Sequence, residues 1–327
     1  MQPSALRYFL EVARTGSLSA AAGRLHIATS AISRQISRLE EELGTPLFDR
    51  RPRGMVLTHA GRLLASYARR AVLEGDEIVS EIRALSGDAT RGLIRLGVTE
   101  GLAVSFIPEM IHAFRLERPQ MLFDVRVMSP AQVVTCVQEG EVEIGLTFSL
   151  SPEDGVEIRW QRAVSAYAFA GKTHPLVGHG PVTIEEISEH PLAILDSGAT
   201  VRRVLDMYCA TRGILLRPAL SSSNLASVLH FCRLGPAVTF ASYISVRAAV
   251  RDGLLAVVPL RETNFLERNL QVLTMLGRTL PQTTRDFLER LVTELEAPDT
   301  LHPPLPPAAL ATGTDRLRSE NGAGGPR

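Results

Sequence analysis

The 327-residue sequence holds one lysine, Lys172, one tryptophan and three cysteines. Cys136, Cys209 and Cys232 are odd in number and far apart, which excludes a disulfide scaffold and a cysteine-rich zinc site. No apolar run approaches the roughly 18–20 residues that cross a bilayer. The opening Met-Gln-Pro-Ser-Ala-Leu-Arg-Tyr has no signal-like apolar core. A reducing cytoplasm, with no membrane partner, is the expected setting. Aromatics are scarce, with 11 Phe and 5 Tyr, so the cores must be aliphatic. With 45% hydrophobic and 21% charged residues, the composition is globular and not disordered or collagen-like. The length provides for two or three cores.

Charge is balanced overall, 35 basic against 35 acidic residues, but it is unevenly placed. Residues 1–70 carry eleven arginines and five acids, a net +6, so the remainder carries −6. A basic segment at one end of an acidic chain suggests an anionic partner held there.

Helical periodicity starts at once. Leu6, Phe9, Leu10 and Ala13 follow the i, i+3, i+4, i+7 pattern. Gly16 suits a left-handed cap, and Ser17 or Ser19 can cap a second helix with Leu18, Ala21, Ala22 and Leu25. Thr29 is the expected N-cap of a third helix, whose stripe is Ile32, Ile36, Leu39 and Leu43 and which ends at Gly44. At 100° per residue that stripe lies within about 40° of Ile32. Ser30, Ser33, Arg34, Ser37 and Arg38 fall on the opposite face, without an acid, while Glu40, Glu41 and Glu42 stay at the far end. Short hydroxyls and arginine forks suit a DNA major groove, and Arg34 matches guanine best. Thr29 and Ser33 can reach bases or phosphates.

Residues 46–57 read as a hairpin with short strands at Leu47-Phe48 and Met55-Val56-Leu57. Arg50, Arg51 and Arg53 at its tip suit phosphates more than base edges. Thr58 can cap a long helix over 58–86, with Leu63, Leu64, Tyr67, Ala68, Ala71, Val72, Ile78, Ile82 and Leu85 as apolar positions. So broad a stripe needs a partner and predicts dimerisation. Ser86–Gly92 reads as a hinge.

Beyond it the texture becomes α/β with parallel strands. Strands are expected at 93–98, 122–127, 143–148, 166–170, 192–195, 238–241, 254–258 and 268–276. Helices are expected at 103–117, 130–139, 200–211, 224–233, 242–251 and 281–296. Residues 298–327, rich in Pro, Gly and Ala, read as a disordered tail. Ligands of open α/β domains sit at the carboxyl ends of strands, beside helix N-termini. Such junctions hold Thr99, Glu100 and Gly101, then Ser129, then Thr147 and Phe148, then Ser197 and Thr200, then Ser222. Hydroxyls and free amides there favour a carboxylate-bearing metabolite. Glu100 repels an anion unless it is turned away or pairs with a ligand amine.

Several motifs fail. Gly171-Lys172-Thr173 lacks the upstream glycine of a phosphate-binding loop, since Ala166 stands there. Gly97-Val-Thr99-Glu-Gly101 mimics a nucleophile elbow without a histidine–carboxylate pair. His174, His179 and His190 lack metal-ligand spacing. Cys136 and Cys232 fit core positions. No cofactor, metal or catalytic residue is expected, which weighs against an enzyme. The lack of a signal segment weighs against a solute-binding protein, and the α/β region against a purely structural nucleoid protein.

The same residues carry a family resemblance. Leu6-Arg-Tyr-Phe-Leu-Glu-Val-Ala13, Ser17-Leu-Ser-Ala-Ala-Ala22, Leu25-His26 and Ala31-Ile-Ser-Arg-Gln-Ile-Ser-Arg-Leu-Glu-Glu-Glu-Leu-Gly44 come in order. Thr45-Pro-Leu-Phe-Asp-Arg50 and Leu57-Thr58-His-Ala-Gly61 follow. This run resembles the winged helix-turn-helix of LysR-type transcriptional regulators. Residues up to about 297 are similar in layout to that family's effector domain, two α/β subdomains of the periplasmic-binding-protein type. The resemblance implies a ligand-modulated transcription factor that binds double-stranded DNA as a homodimer or homotetramer and works with RNA polymerase. Where the family commonly has Ser-Gln-Pro or Ser-Gln-Ser, this chain has Ala28-Thr29-Ser30, so base preference does not carry over. The expected organisation is a DNA-binding head at 1–60, a dimerisation helix at 58–86 and an effector domain at 92–297. Subdomain I would comprise 92–162 and 268–297, and subdomain II 163–267, with the effector between them.

Overall fold

Three short helices and a hairpin build the N-terminal head because each offers one apolar edge to a shared centre. A computed structural model describes residues 3–52, 54–85, 92–151, 153–262 and 266–303. The head comprises α1 (Pro3–Thr15), α2 (Leu18–Leu25), α3 (Thr29–Leu43), β1 (Phe48–Arg51) and β2 (Gly54–Leu57). The long helix α4 (His59–Leu85) follows. Phe9, Val12, Ala21, Ile32, Ile36, Leu39 and Leu47 are fully buried together. The rings of Phe9 and Phe48 meet at 5.2 Å. Ser17 caps α2 by accepting the Ala20 amide. Ala28, not Thr29, is the N-cap of α3 and makes no side-chain cap bond, so Thr29 is the first helical residue. The expected threonine cap is therefore corrected: the extended backbone falls one residue earlier. Thr58 caps α4, accepting the Gly61 amide at 3.0 Å.

Leu64, Ala65 and Ala68 of α4 close the head core. The stripe read as one dimer face is thus divided. Leu64 packs on the head, while Leu63, Tyr67, Ile78 and Ile82 are 63%, 48%, 56% and 57% exposed. Of the expected hinge, Ser86–Arg91 lie outside the described residues.

The elements after α4 are, in chain order, β3 (Leu93–Val98), α5 (Glu100–Ala103), α6 (Phe106–Glu117), β4 (Leu122–Val127), α7 (Pro130–Gln138), β5 (Ile144–Ser149), β6 (Val156–Val164) and β7 (Ala166–Gly171). Next come α8 (Ile184–Ser188), β8 (Leu192–Leu195), α9 (Thr200–Arg212), β9 (Pro218–Ser222), α10 (Leu225–Leu234), β10 (Val238–Ser242), α11 (Tyr243–Arg251) and β11 (Leu255–Val258). Then follow β12 (Arg268–Met275), α12 (Gln282–Glu296) and α13 (Pro298–Leu301).

Contacts divide the chain into two units: Met1–Thr99, Ile111–Arg162 and Leu270–Glu289 in the first, Glu100–Met110, Ala163–Asn269 and Arg290–Arg327 in the second. One five-stranded sheet has the order β4-β3-β5-β12-β6, with β3 parallel to both neighbours. The other has the order β11-β7-β10-β8-β9. There β8 runs parallel to β9 and β10, but β7 is antiparallel to β10 and β11. The expectation of parallel strands is corrected at β7: it is the first strand of its sheet in chain order, so no helical crossover from a preceding strand of that sheet holds it parallel. Strand β6, helix α8 and strand β9 were not expected, and the helix placed at 103–117 is two, α5 and α6. The expected tail begins later: α13 is helical, and its Thr300 and Leu301 are buried. Residues 304–327 lie outside the described residues. Among the described residues, no helix is long and apolar enough to cross a membrane.

Candidate nucleic-acid interface and effector site

Helix α3 leans on the head core through Ile32, Ile36 and Leu39. Its opposite face presents Ser30, Arg34 and Arg38 to solvent, flanked by half-buried Ser33 and Ser37. Thr29 is exposed in the first turn. The head's other arginines separate into used and unused ones. Arg7 pairs with Asp76, and Arg14 and Arg24 both pair with Glu11. The hydrogen bond from Arg14, with the charge of both arginines, holds the Glu11 carboxyl below its ordinary value. Among the described residues, Arg34 and Arg38 pair with no carboxylate. Their guanidinium forks remain available.

The hairpin fixes where two more arginines stand. Register runs from Phe48↔Leu57 to Arg51↔Gly54. The Met55 amide donates to Gly16 O at 2.8 Å, tying β2 to the turn between α1 and α2. Arg50 and Arg51 are exposed on β1. Arg51 lies 3.8 Å from Asp49, a solvated contact too loose to hold it. Arg53 lies outside the described residues. The base of the hairpin is held by Glu40, whose Oε1 accepts the Leu47 and Phe48 amides at 2.8 and 3.3 Å. No spacing rule signals this contact, because it spans seven and eight residues across a turn.

In the first unit, Thr99, Ser129, Thr147 and Phe148 stand at the carboxyl ends of β3, β4 and β5, which are neighbours in the sheet. Thr99 is buried, its amide donates to Leu146 O at 3.1 Å, and its hydroxyl has no hydrogen-bond partner among the described residues. Ser129 is engaged locally: its amide and hydroxyl both donate to Gln132 Oε1, at 3.1 and 2.8 Å. Thr147 and Phe148 are buried, and the Thr147 hydroxyl reaches Phe148 O only at 3.5 Å.

In the second unit, Ser197 and Thr200 follow β8 and Ser222 ends β9, the paired strand. Ser197 is exposed in a turn where the Gly198 amide donates to Asp196 Oδ1 at 3.0 Å, and Thr200 is buried at the first residue of α9. Ser222 accepts the Asn224 amide at 3.1 Å. Glu100 is turned onto the start of α10, where its Oε1 accepts the Leu225 amide at 3.1 Å. That carboxylate takes the anion's place at the helix N-terminus, beside the Asn224 cap on Ser227. Gly101 is buried within α5.

The cysteines are thiols of low reactivity. Burial pushes Cys209 up to about 11 and Cys232 up to about 12. Cys136 is half-buried rather than fully in the core, and burial with nearby Glu141 raises it. Among the described residues, no group of three His, Cys, Asp or Glu side chains can hold a metal ion.

Two family models match the chain in tandem. The bacterial regulatory helix-turn-helix protein, lysR family, matches residues 3–62. The LysR substrate binding domain matches residues 87–296. The HTH-type transcriptional regulator YybE of Bacillus subtilis is 30% identical over 208 residues, covering 63% of this chain and 70% of YybE. The HTH-type transcriptional regulator CysB of Haemophilus influenzae is 29% identical over 245 residues, covering 72% and 73%. A full-length OxyR variant from Pseudomonas aeruginosa shares the fold with a TM-score of 0.61 at 17% identity, covering 94% of this chain and 99% of that one. With the polar face of α3, the basic hairpin and the paired α/β sheets, these matches mean that the chain belongs to the LysR family of DNA-binding transcriptional regulators, with a helix-turn-helix head and an effector-binding domain.

Proposed function

We propose that α3 reads base edges in the major groove through Ser30, Ser33, Arg34, Ser37 and Arg38, with Thr29 at its start. In this reading Arg50, Arg51 and Arg53 hold the backbone phosphates. The observation that carries it is the division of α3: an apolar face sealed on Ile32, Ile36 and Leu39, and an opposite face whose arginines have no acidic partner among the described residues. The protein acts as a homodimer or homotetramer, on RNA polymerase at its promoters, and is not an enzyme. Its DNA partner puts it in the cytoplasm. Replacing Arg34 by Ala removes a bidentate contact and costs about 1–3 kcal/mol on the cognate site, relaxing choice at one base pair. Footprinting with purified protein against genomic fragments and scrambled duplexes reads both effects. Equal loss on all sequences would remove Arg34 from base readout.

The effector is a small carboxylate-bearing metabolite. Thr99 supports this most directly, since a buried hydroxyl without a partner at the end of a strand is ready for an incoming acceptor. Ser129, Thr147 and Phe148 flank it in the sheet; Gly101, Ser197, Thr200 and Ser222 are the second unit's candidates, with Glu100 turned onto the Leu225 amide. Thr99→Val keeps the shape and lowers ligand affinity by about 1–3 kcal/mol, leaving DNA affinity without ligand as before. Calorimetry on any carboxylate that raises the melting temperature tests it, and unchanged affinity would move the site elsewhere.

A further inference from the structure

The wing arginines matter only if the strand that bears them is aimed. Leu47 and Phe48 are buried, and burial sets how deep the strand sits. It is non-directional, so it does not set rotation about the strand axis. Directional hydrogen bonds do. One side of this segment is gripped by α4: the Thr58 hydroxyl donates to Pro46 O at 2.8 Å and the Thr58 amide to Leu47 O at 3.0 Å. Gly61 is required there, since a Cβ would collide with Leu47 O. The other side is gripped by α3 through a single atom, Glu40 Oε1, which takes the Leu47 and Phe48 amides. Arg50 and Arg51 begin two residues further on.

We infer that Glu40 is a positioning residue for DNA binding: its carboxylate couples the end of the recognition helix to the wing, so that Arg50 and Arg51 meet phosphate in a fixed relation to α3. The assignment rests on the DNA-reading role proposed above. It also accounts for an acid within a basic head. Its carboxylate is engaged by two backbone amides, a structural use that offsets the cost of an acid near the duplex.

The full-length protein and a random-sequence duplex of about 40 base pairs provide the test, with affinity measured against salt. In the native background Arg51→Ala lowers the salt slope by about 1. Glu40→Ala lowers it similarly, and Arg51→Ala then adds less than about two-fold, because an unaimed arginine has little left to lose. Glu40→Gln keeps an oxygen acceptor and restores the native slope. A pure charge effect has the opposite sign, with Ala and Gln both binding more tightly. Glu40→Asp keeps the charge but loses the reach, so it carries the same comparison if the Ala variant fails to fold. Full additivity of Arg51→Ala with Glu40→Ala or Glu40→Asp, or equal tightening by Ala and Gln, overturns the assignment. Native protein with no salt-dependent affinity for the duplex overturns the DNA-reading role itself, and Glu40 with it.

Discussion

His174 is held neutral by what surrounds it. The Leu176 amide donates to Nδ1 at 3.1 Å, so the ring proton belongs on Nε2, which donates to Pro236 O at 3.2 Å. Burial lowers its pKa below the ordinary 6.5, and the His190 ring at 4.9 Å adds to the shift. A histidine with a lowered folded pKa contributes stability that is complete above 6.5 and lost as pH falls toward and through the folded value. The melting temperature should therefore drop as pH falls below 6.5. His174→Leu should cost about 1–3 kcal/mol at pH 8 through lost hydrogen bonds, yet flatten that drop. Parallel pH curves for native and variant would show that another group titrates. At this scale little was legible. The spacing around His174 offered no metal-ligand pattern; of its two partners Leu176 lies only two residues along the chain, while Pro236 is set by tertiary contact. The unsatisfied hydroxyl of Thr99 is likewise a property of the fold, whereas its place at a strand end was readable from the pattern.

At the scale of elements, α3 was readable because one helix face and one polar face repeat over four turns. Strands β6 and β9 were not, for reasons found at sheet edges. Both end their sheets, and β6 places Glu157, Arg159, Gln161 and Arg162 among its residues, hiding the alternation of a half-buried strand. Strand β9 opens on Pro218, a residue tolerated at an edge. Helix α4 was read with one stripe but has more than one. Leu63, Tyr67, Ile78 and Ile82 fall within an arc of about 100° and are exposed, while Leu64, Ala65 and Ala68 serve the head. The exposed arc is the surface we assign to dimerisation. Leu63→Glu with Tyr67→Glu should give monomers by sedimentation while the head keeps its helical signal, since neither side chain enters the core. A dimer that survives both charges would assign the interface to another face.

At the scale of the molecule, α4 has a third face that joins the head to the sheet of the first unit. Leu73 packs on Val134, Val137, Val142, Val156, Leu273 and Met275. It lies so close to Gly140 that a Cβ there would collide with it, and Gly140 has φ +71°, a conformation that favours glycine. Arg69 approaches Glu139 at 3.8 Å, and Arg70 donates to Leu276 O at 3.4 Å. The polar contacts are partly exposed and contribute little. Among the described residues Leu73 is therefore the main apolar contact between α4, which closes the head core, and the sheet of the first unit. Leu73→Asp puts a carboxylate against that apolar cluster, beside Gly140. It should destabilise the chain by about 1–3 kcal/mol and split one thermal transition into two, the head and the sheet melting separately. Affinity for a random duplex should hold, because α3 and the wing lie on other contacts. A single transition at the native temperature would mean that Leu73 does not couple them.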